Sequence, residues 1–213
     1  MMLGKLKQLT NSRFLAKRLI FQFVKKETDG KDFETVVDIG AGKSPYRKLI
    51  HCDKYIAVDV EDRRGAGDVV IADVNKDIPL ENNITDLVLM TEVLEHIKEP
   101  RVVLAEVYRI LKPGGKLILT TPFVWPEHEA PNDFYRYTKY GLEYLLRESG
   151  YNDIKIEPKS GYFLTMCQLT MVFMRKKIFI PVVFFINAFA MTFSFCDKRK
   201  DFPLGYNVAA TKK

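Results

Sequence analysis

Short apolar runs alternate with helically spaced stripes along most of this chain. Val36, Val37 and Ile39 form a run suited to a buried parallel strand, with Asp38 near its end. Tyr55–Asp59 reads as a second strand, Asp68–Asp73 as a third, Ile84–Met90 as a fourth and Leu117–Thr121 as a fifth. Between the fourth and fifth, Val103, Leu104, Val107, Ile110 and Leu111 share one face of a helix expected from about 101 to 111. Lys112-Pro-Gly-Gly115 supplies its stop signal. Tyr137 to Gly150 reads as another helix, with Tyr140, Tyr144 and Leu145 expected inward. Ile154–Glu157 and Gly205–Thr211 are the sixth and seventh strands.

The first strand ends in Gly40-Ala-Gly42, and such loops bind nucleotide-like ligands in open α/β sheets. Three ligands compete for it. Gly42-Lys43-Ser44 matches the end of a phosphate loop, but the required first glycine would fall at Val37. A dinucleotide fingerprint needs a third glycine where Pro45 stands. S-adenosylmethionine has no phosphate and carries a cationic sulfonium, which suits the acidic Asp38 beside the glycines. Asp59 lies 19 residues after Gly40, where a carboxylate can accept ribose hydroxyl protons. Asp73 could accept from an adenine amino group, with Val74 against the ring.

The ordered set Val37-Asp-Ile-Gly-Ala-Gly42, Ala57-Val-Asp59, Ala72-Asp73, Glu92-Val-Leu-Glu-His-Ile97 and Arg109-Ile-Leu-Lys-Pro-Gly-Gly115 resembles the class I S-adenosylmethionine-dependent methyltransferases of the type 11 group. The resemblance runs from about residue 35 to 158, and Gly205–Thr211 resembles that family's final strand. It implies an α/β fold: a seven-stranded, mostly parallel, Rossmann-like sheet, helices on both faces, last strand antiparallel. It also implies S-adenosyl-L-methionine as cofactor. The residues to hold it are Asp38, Gly40, Ala41 and Gly42 at the methionine end, Asp59 and Val60 at the ribose, Asp73 and Val74 at the adenine, and Thr91 and Glu92 after the fourth strand. Ser44 stands where the family usually has a third glycine.

At 213 residues and 47% apolar, the chain is expected to be a single methyltransferase domain, 1–213, with two additions. One is a basic amphipathic N-terminal helix, 1–26. Lys5, Lys7, Arg13, Lys17, Arg18, Lys25 and Lys26 alternate there with Leu6, Phe14, Leu15, Ile20, Phe23 and other apolar residues. Such a helix can lie on an anionic membrane surface or cap the cofactor pocket. No nucleic-acid motif accompanies the net charge of +6. Cys52, Cys167 and Cys196 share no metal spacing, so no metal is expected, and their scatter suggests reduced thiols in a cytosolic setting.

The second addition is an apolar helical insertion, 160–200. Residues 161–174 and 178–196 carry no charge, with Arg175-Lys-Lys177 between them. A 19-residue uncharged stretch meets the length rule for a membrane span. A single crossing would strand the seventh strand away from its sheet, so a shallow hairpin in one leaflet, a dimer contact or a cap over a substrate pocket is expected instead. Pro181 and Asn187 favour a kinked element. The protein is therefore expected to be cytoplasmic, peripheral on the cytosolic face of a membrane.

Methyl transfer is an in-line displacement, so alignment supplies much of the acceleration. The loop after the fifth strand holds His128 between Glu127 and Glu129, with Asp133 nearby. His128 is the leading candidate base for an oxygen acceptor, with Glu127 and Asp133 supporting it, and His96 a weaker candidate. The acceptor is expected to be a small molecule, or a lipid-linked, glycan or other amphiphilic one. Two rival functions remain. Tyr135 and Lys139 have the Tyr-x-x-x-Lys spacing of short-chain nicotinamide reductases, whose glycine loop is missing here. A non-catalytic membrane-bound adaptor that binds the cofactor is the other.

Overall fold

The computed structural model describes residues 8–65 and 67–213. Seven strands form one sheet: β1 Asp32–Ile39, β2 His51–Asp59, β3 Val69–Ile71, β4 Thr85–Thr91, β5 Leu111–Pro122, β6 Asn152–Pro158 and β7 Gly205–Thr211. Their order is β3-β2-β1-β4-β5-β7-β6. The first five are parallel, and β7 runs antiparallel between β5 and β6. The fold is the seven-stranded, mostly parallel one expected from the sequence.

Side chains alternate across the sheet, and the two faces bury different sets. Val37, Val88, Met90, Leu117 and Leu119 point to one face. There they meet Val103, Leu104 and Val107 of α2 (Pro100–Ile110) and Leu142 and Leu146 of α3 (Lys139–Glu148). Val36, Leu87, Leu89 and Ile118 point to the other, against Ile20, Phe23 and Val24 of α1 (Phe14–Thr28).

Several expectations change here. The third strand is only Val69–Ile71, because β3 is the sheet's edge and Ile71 is 59% exposed. α3 turns Leu142 and Leu146 inward, while Tyr140 and Tyr144 are exposed. Aliphatic residues at i and i+4 thus win the core over the tyrosine stripe. Of the N-terminal stretch, Lys5, Leu6 and Lys7 lie outside the described residues. The apolar face of α1 is covered by the sheet, which leaves no continuous stripe on that helix for a bilayer.

The insertion forms two short helices, α4 Tyr162–Val172 and α5 Ile180–Thr192. Leu164, Met171, Val183 and Ala190 bury against one another and Leu15. Polar groups fix the hairpin to the N-terminal segment: Gln168 accepts from Ala16 N and donates to Ser12 O, and Asn187 donates to Leu9 O. Pro181 opens α5 instead of kinking it, and Asn187 sits mid-helix with that backbone partner. Among the described residues no helix is long and apolar enough to cross a membrane.

Candidate active site

A cavity of about 190 Å³ opens at the carboxyl ends of β1, β2 and β4. Its wall includes Gly40, Asp59, Val60, Asp73, Val74 and Glu92, all anticipated from the sequence. It also includes Arg63, Asn75, Val93, His96, Ile97 and Glu129; of these, only His96 was among the candidates.

The glycine turn is built by backbone geometry. Gly40 has φ +63°, and a Cβ there would lie 2.4 Å from Val93 Cγ2, so nothing larger fits. Gly40 and Ala41 both donate to Val58 O, which folds the turn back over β2. Gly42 has φ +54° with open space beside it. Ser44 has φ +47°, so this chain bears a left-handed residue where the family favours glycine.

Asp59 is held rigidly. Its Oδ2 accepts from Gly42 N at 2.7 Å and its Oδ1 from Val60 N at 2.8 Å. Each carboxylate oxygen has a second lone pair, so both remain able to accept from a ligand. Asp73 Oδ1 accepts from Asn75 N at 3.1 Å. Asp38 and Ala41 are buried away from the cavity wall. Asp38 accepts from Tyr55 Oη at 2.6 Å. Burial pushes its carboxyl up to about 7, against the opposing Tyr55 hydrogen bond and with a further push from Asp59. Thr91 ends β4 outside the wall, while Glu92 accepts from Thr120 Oγ1 at 2.7 Å and pairs with the buried Lys159.

Beside the cavity the turn after β4 meets the loop after β5. Glu95 is fully buried, and neither of its carboxyl oxygens has a hydrogen-bond partner. Burial and then the charge of Glu92 drive its carboxyl well above the ordinary range, while Lys159 and Arg136 oppose this. His96 Nε2 and His128 Nε2 lie 3.8 and 4.0 Å from Glu95 Oε1. The two rings meet edge to face, centroids 4.9 Å apart. His96 Nδ1 is 2.5 Å from Asn132 O, and His128 Nδ1 is 3.3 Å from Asp133 Oδ2. Asp133 is gripped by both Arg136 terminal nitrogens at 2.6 Å, which hold it well below the usual carboxylate range. The expected neighbour Glu127 is exposed and makes no hydrogen bond or ion pair; Glu129 approaches His96 Nε2 instead, at 3.8 Å.

Glu95 and Lys159 were missed from the sequence as site residues. Glu95 was readable only as part of the turn motif 92–97, and its convergence with His128 is tertiary. Lys159 had no local signal. Of the supposed reductase pair, Tyr135 Oη is committed to Lys98 O and Lys139 opens α3.

Residues 37–119 match the profile of a family described as methyltransferase domain. An uncharacterized 37.1 kDa protein from a Streptomyces fradiae transposon is 29% identical over 110 residues, 44% of this chain. The match spans about a third (32%) of that relative's length. Among solved structures, an S-adenosylmethionine-dependent methyltransferase of Thermotoga maritima, described as a possible histamine N-methyltransferase, aligns with TM-score 0.63 at 18% identity, covering 99% of this chain and 96% of that one. Phosphoethanolamine N-methyltransferase 2 of Haemonchus contortus, in complex with S-adenosyl-L-methionine, aligns with TM-score 0.63 at 18% identity, over 91% and 52%. The cyclase SpnF shares the fold with TM-score 0.60 at 17% identity, over 90% and 80%.

Proposed function

We propose that this chain, whose residues 37–119 match a methyltransferase domain, acts as a class I S-adenosylmethionine-dependent methyltransferase and transfers the methyl group to an oxygen of an amphiphilic acceptor. The observation that carries the cofactor half is Asp59: a buried carboxylate fixed by two backbone donors on the cavity wall, with Asp73 and Val74 beyond it. In this reading Asp59 accepts the ribose hydroxyls, Asp73 and Val74 receive the adenine, and the turn 40–42 passes along the methionine end. Asp38 lies behind that turn, where a cationic sulfonium would favour its ionised form over the neutral one that burial promotes.

The acceptor oxygen enters from the side of His96, His128 and Glu129. The cluster of His128, Asp133 and Glu95 takes up the acceptor proton as the C–O bond forms and the C–S bond breaks, with the sulfur keeping the electron pair. His128 leads as the proton acceptor because its ring is set between two carboxyl groups. Calorimetric titration tests the cofactor: S-adenosylmethionine and its demethylated product bind, and NADPH does not. Binding of NADPH alone would return the reductase reading.

An amphiphilic acceptor is supported by the insertion, where Ile178, Phe185 and Phe195 are each more than two-thirds exposed next to Arg175-Lys-Lys177. Such a surface fits peripheral contact with the cytosolic face of a membrane. Full-length protein should float with anionic vesicles. Protein that instead remains unbound and sediments as a dimer assigns residues 161–196 to a homodimer contact. Lipid, glycolipid and polysaccharide extracts incubated with radiolabelled methyl donor would identify the acceptor.

A further inference from the structure

The geometry points to a binding site for one divalent cation of the zinc class, formed by Glu95, His96 and His128. One carboxylate and two ring nitrogens, one from each residue, lie within 4.8 Å of one another. Glu95 is the observation that demands a partner. A fully buried carboxyl with neither oxygen hydrogen-bonded is costly, and two imidazole nitrogens lie 3.8 and 4.0 Å from its Oε1.

The rings are presented in a ligand-ready form. Asn132 O can only accept, so His96 Nδ1 carries the proton and its Nε2 offers a lone pair. His128 sets Nδ1 on the Asp133 side and Nε2 toward Glu95. The Asn132 carbonyl is an outer partner of the kind that orients a metal-bound histidine, while His128 Nδ1 faces the Arg-locked Asp133 across 3.3 Å without a formed hydrogen bond. Donors sharing a cation at about 2.1 Å sit roughly 3–3.4 Å apart, so the separations here, 3.8 and 4.0 Å from Glu95 and none beyond 4.8 Å, must shorten on binding. Two imidazoles and one carboxylate select borderline cations such as Zn²⁺ over Mg²⁺ or Ca²⁺. Three protein ligands leave a position open, and His96 and Glu129 turn that side toward the cavity.

What the cation does rests on the methyl-transfer reading. An acceptor hydroxyl on the open position loses its proton to water more readily, because a bound cation lowers the pKa of a coordinated oxygen. The oxygen then attacks the methyl carbon and the C–S electron pair stays on sulfur. With the cation bound, His128 is a ligand and the acceptor proton leaves to water; in the metal-free protein His128 is the base.

The test titrates chelator-treated full-length protein with Co²⁺, followed by its visible absorption, and then displaces it with Zn²⁺. Wild type should take up one equivalent. Glu95→Gln and His128→Ala should weaken uptake at least about 10–100-fold, the range seen even for outer partners. His51→Ala, the remaining histidine, should leave uptake unchanged. In wild type alone, Zn²⁺ should shift two of the three histidine ring resonances and spare that of His51, so the result does not depend on variants that fold. S-adenosylmethionine titration of the same samples separates the two readings: cobalt uptake without cofactor binding overturns only the cofactor assignment. No uptake by wild type below about 1 mM, or equal uptake by the Glu95 and His128 variants, overturns the metal site and leaves Glu95 as a neutral buried acid.

Discussion

Asp59 and Glu95 are two buried carboxyl groups beside one cavity, with opposite surroundings. Asp59 receives a backbone N–H on each oxygen, whereas Glu95 receives nothing on either. The first is complete once β1 and β2 pair, since its donors are Val60 N beside it and Gly42 N in the turn after β1. The second is completed only by something added. One side of the cavity is thus prepared by backbone donors of two neighbouring strand ends, and the other is left open where two loops meet.

The largest effect should come from breaking the prepared side. Gly40→Ala combines a left-handed backbone with a Cβ 2.4 Å from Val93 Cγ2, and should cost about 2–5 kcal/mol in urea unfolding. Gly42→Ala, with open space, should cost only about 1–2 kcal/mol. Equal losses would mean that Val93 does not constrain the turn.

Next, Asp59→Ala leaves Gly42 N and Val60 N unpaired and removes the ribose acceptors. Cofactor affinity should fall by about 1.5–3 kcal/mol, roughly 10- to 100-fold, in calorimetry. Unchanged affinity would remove Asp59 from the cofactor site.

Asp38 sharpens the comparison through pH. Its folded value of about 7 lies above its ordinary 3.8, so between those limits the unfolded chain releases a proton that the folded chain keeps. Stability should therefore fall as pH rises from about 4 to 7, with the penalty fully present above 7. Asp38→Asn should flatten that slope in denaturant titrations at several pH values and raise stability at pH 8. A slope identical to wild type would place its origin elsewhere.

The smallest effect belongs to the open side. Glu95→Gln breaks no hydrogen bond of the metal-free protein, so its unfolding free energy should stay within about 1 kcal/mol of wild type. A larger loss would show that the carboxyl has a structural partner after all.

The same division governs what was legible. The wall residues Gly40, Asp59, Val60, Asp73 and Val74 follow strand ends within the first half of the chain, and their spacing carries the chemistry. The choice between Glu127 and Glu129 was not legible, because the loop's path around Asp133 and Arg136 decides which glutamate faces His96. The inward face of α3 was misread because tyrosine and leucine stripes both have helical spacing, and only packing on the sheet selects between them.

By itself the sequence determined the strand runs, the glycine turn after β1 and the carboxylates that follow β2 and β3, since these depend on side-chain alternation and backbone freedom within a few residues. Tertiary structure decided how the apolar additions are used and where the histidines meet. The insertion's Gln168 and Asn187 find their partners in the N-terminal segment more than 150 residues away. Glu95, His96 and His128 converge only because β4 and β5 lie side by side and deliver their loops to the same edge of the sheet. Contacts between residues so far apart in the chain leave no periodic trace in it, because they are set by strand order and register rather than by local spacing.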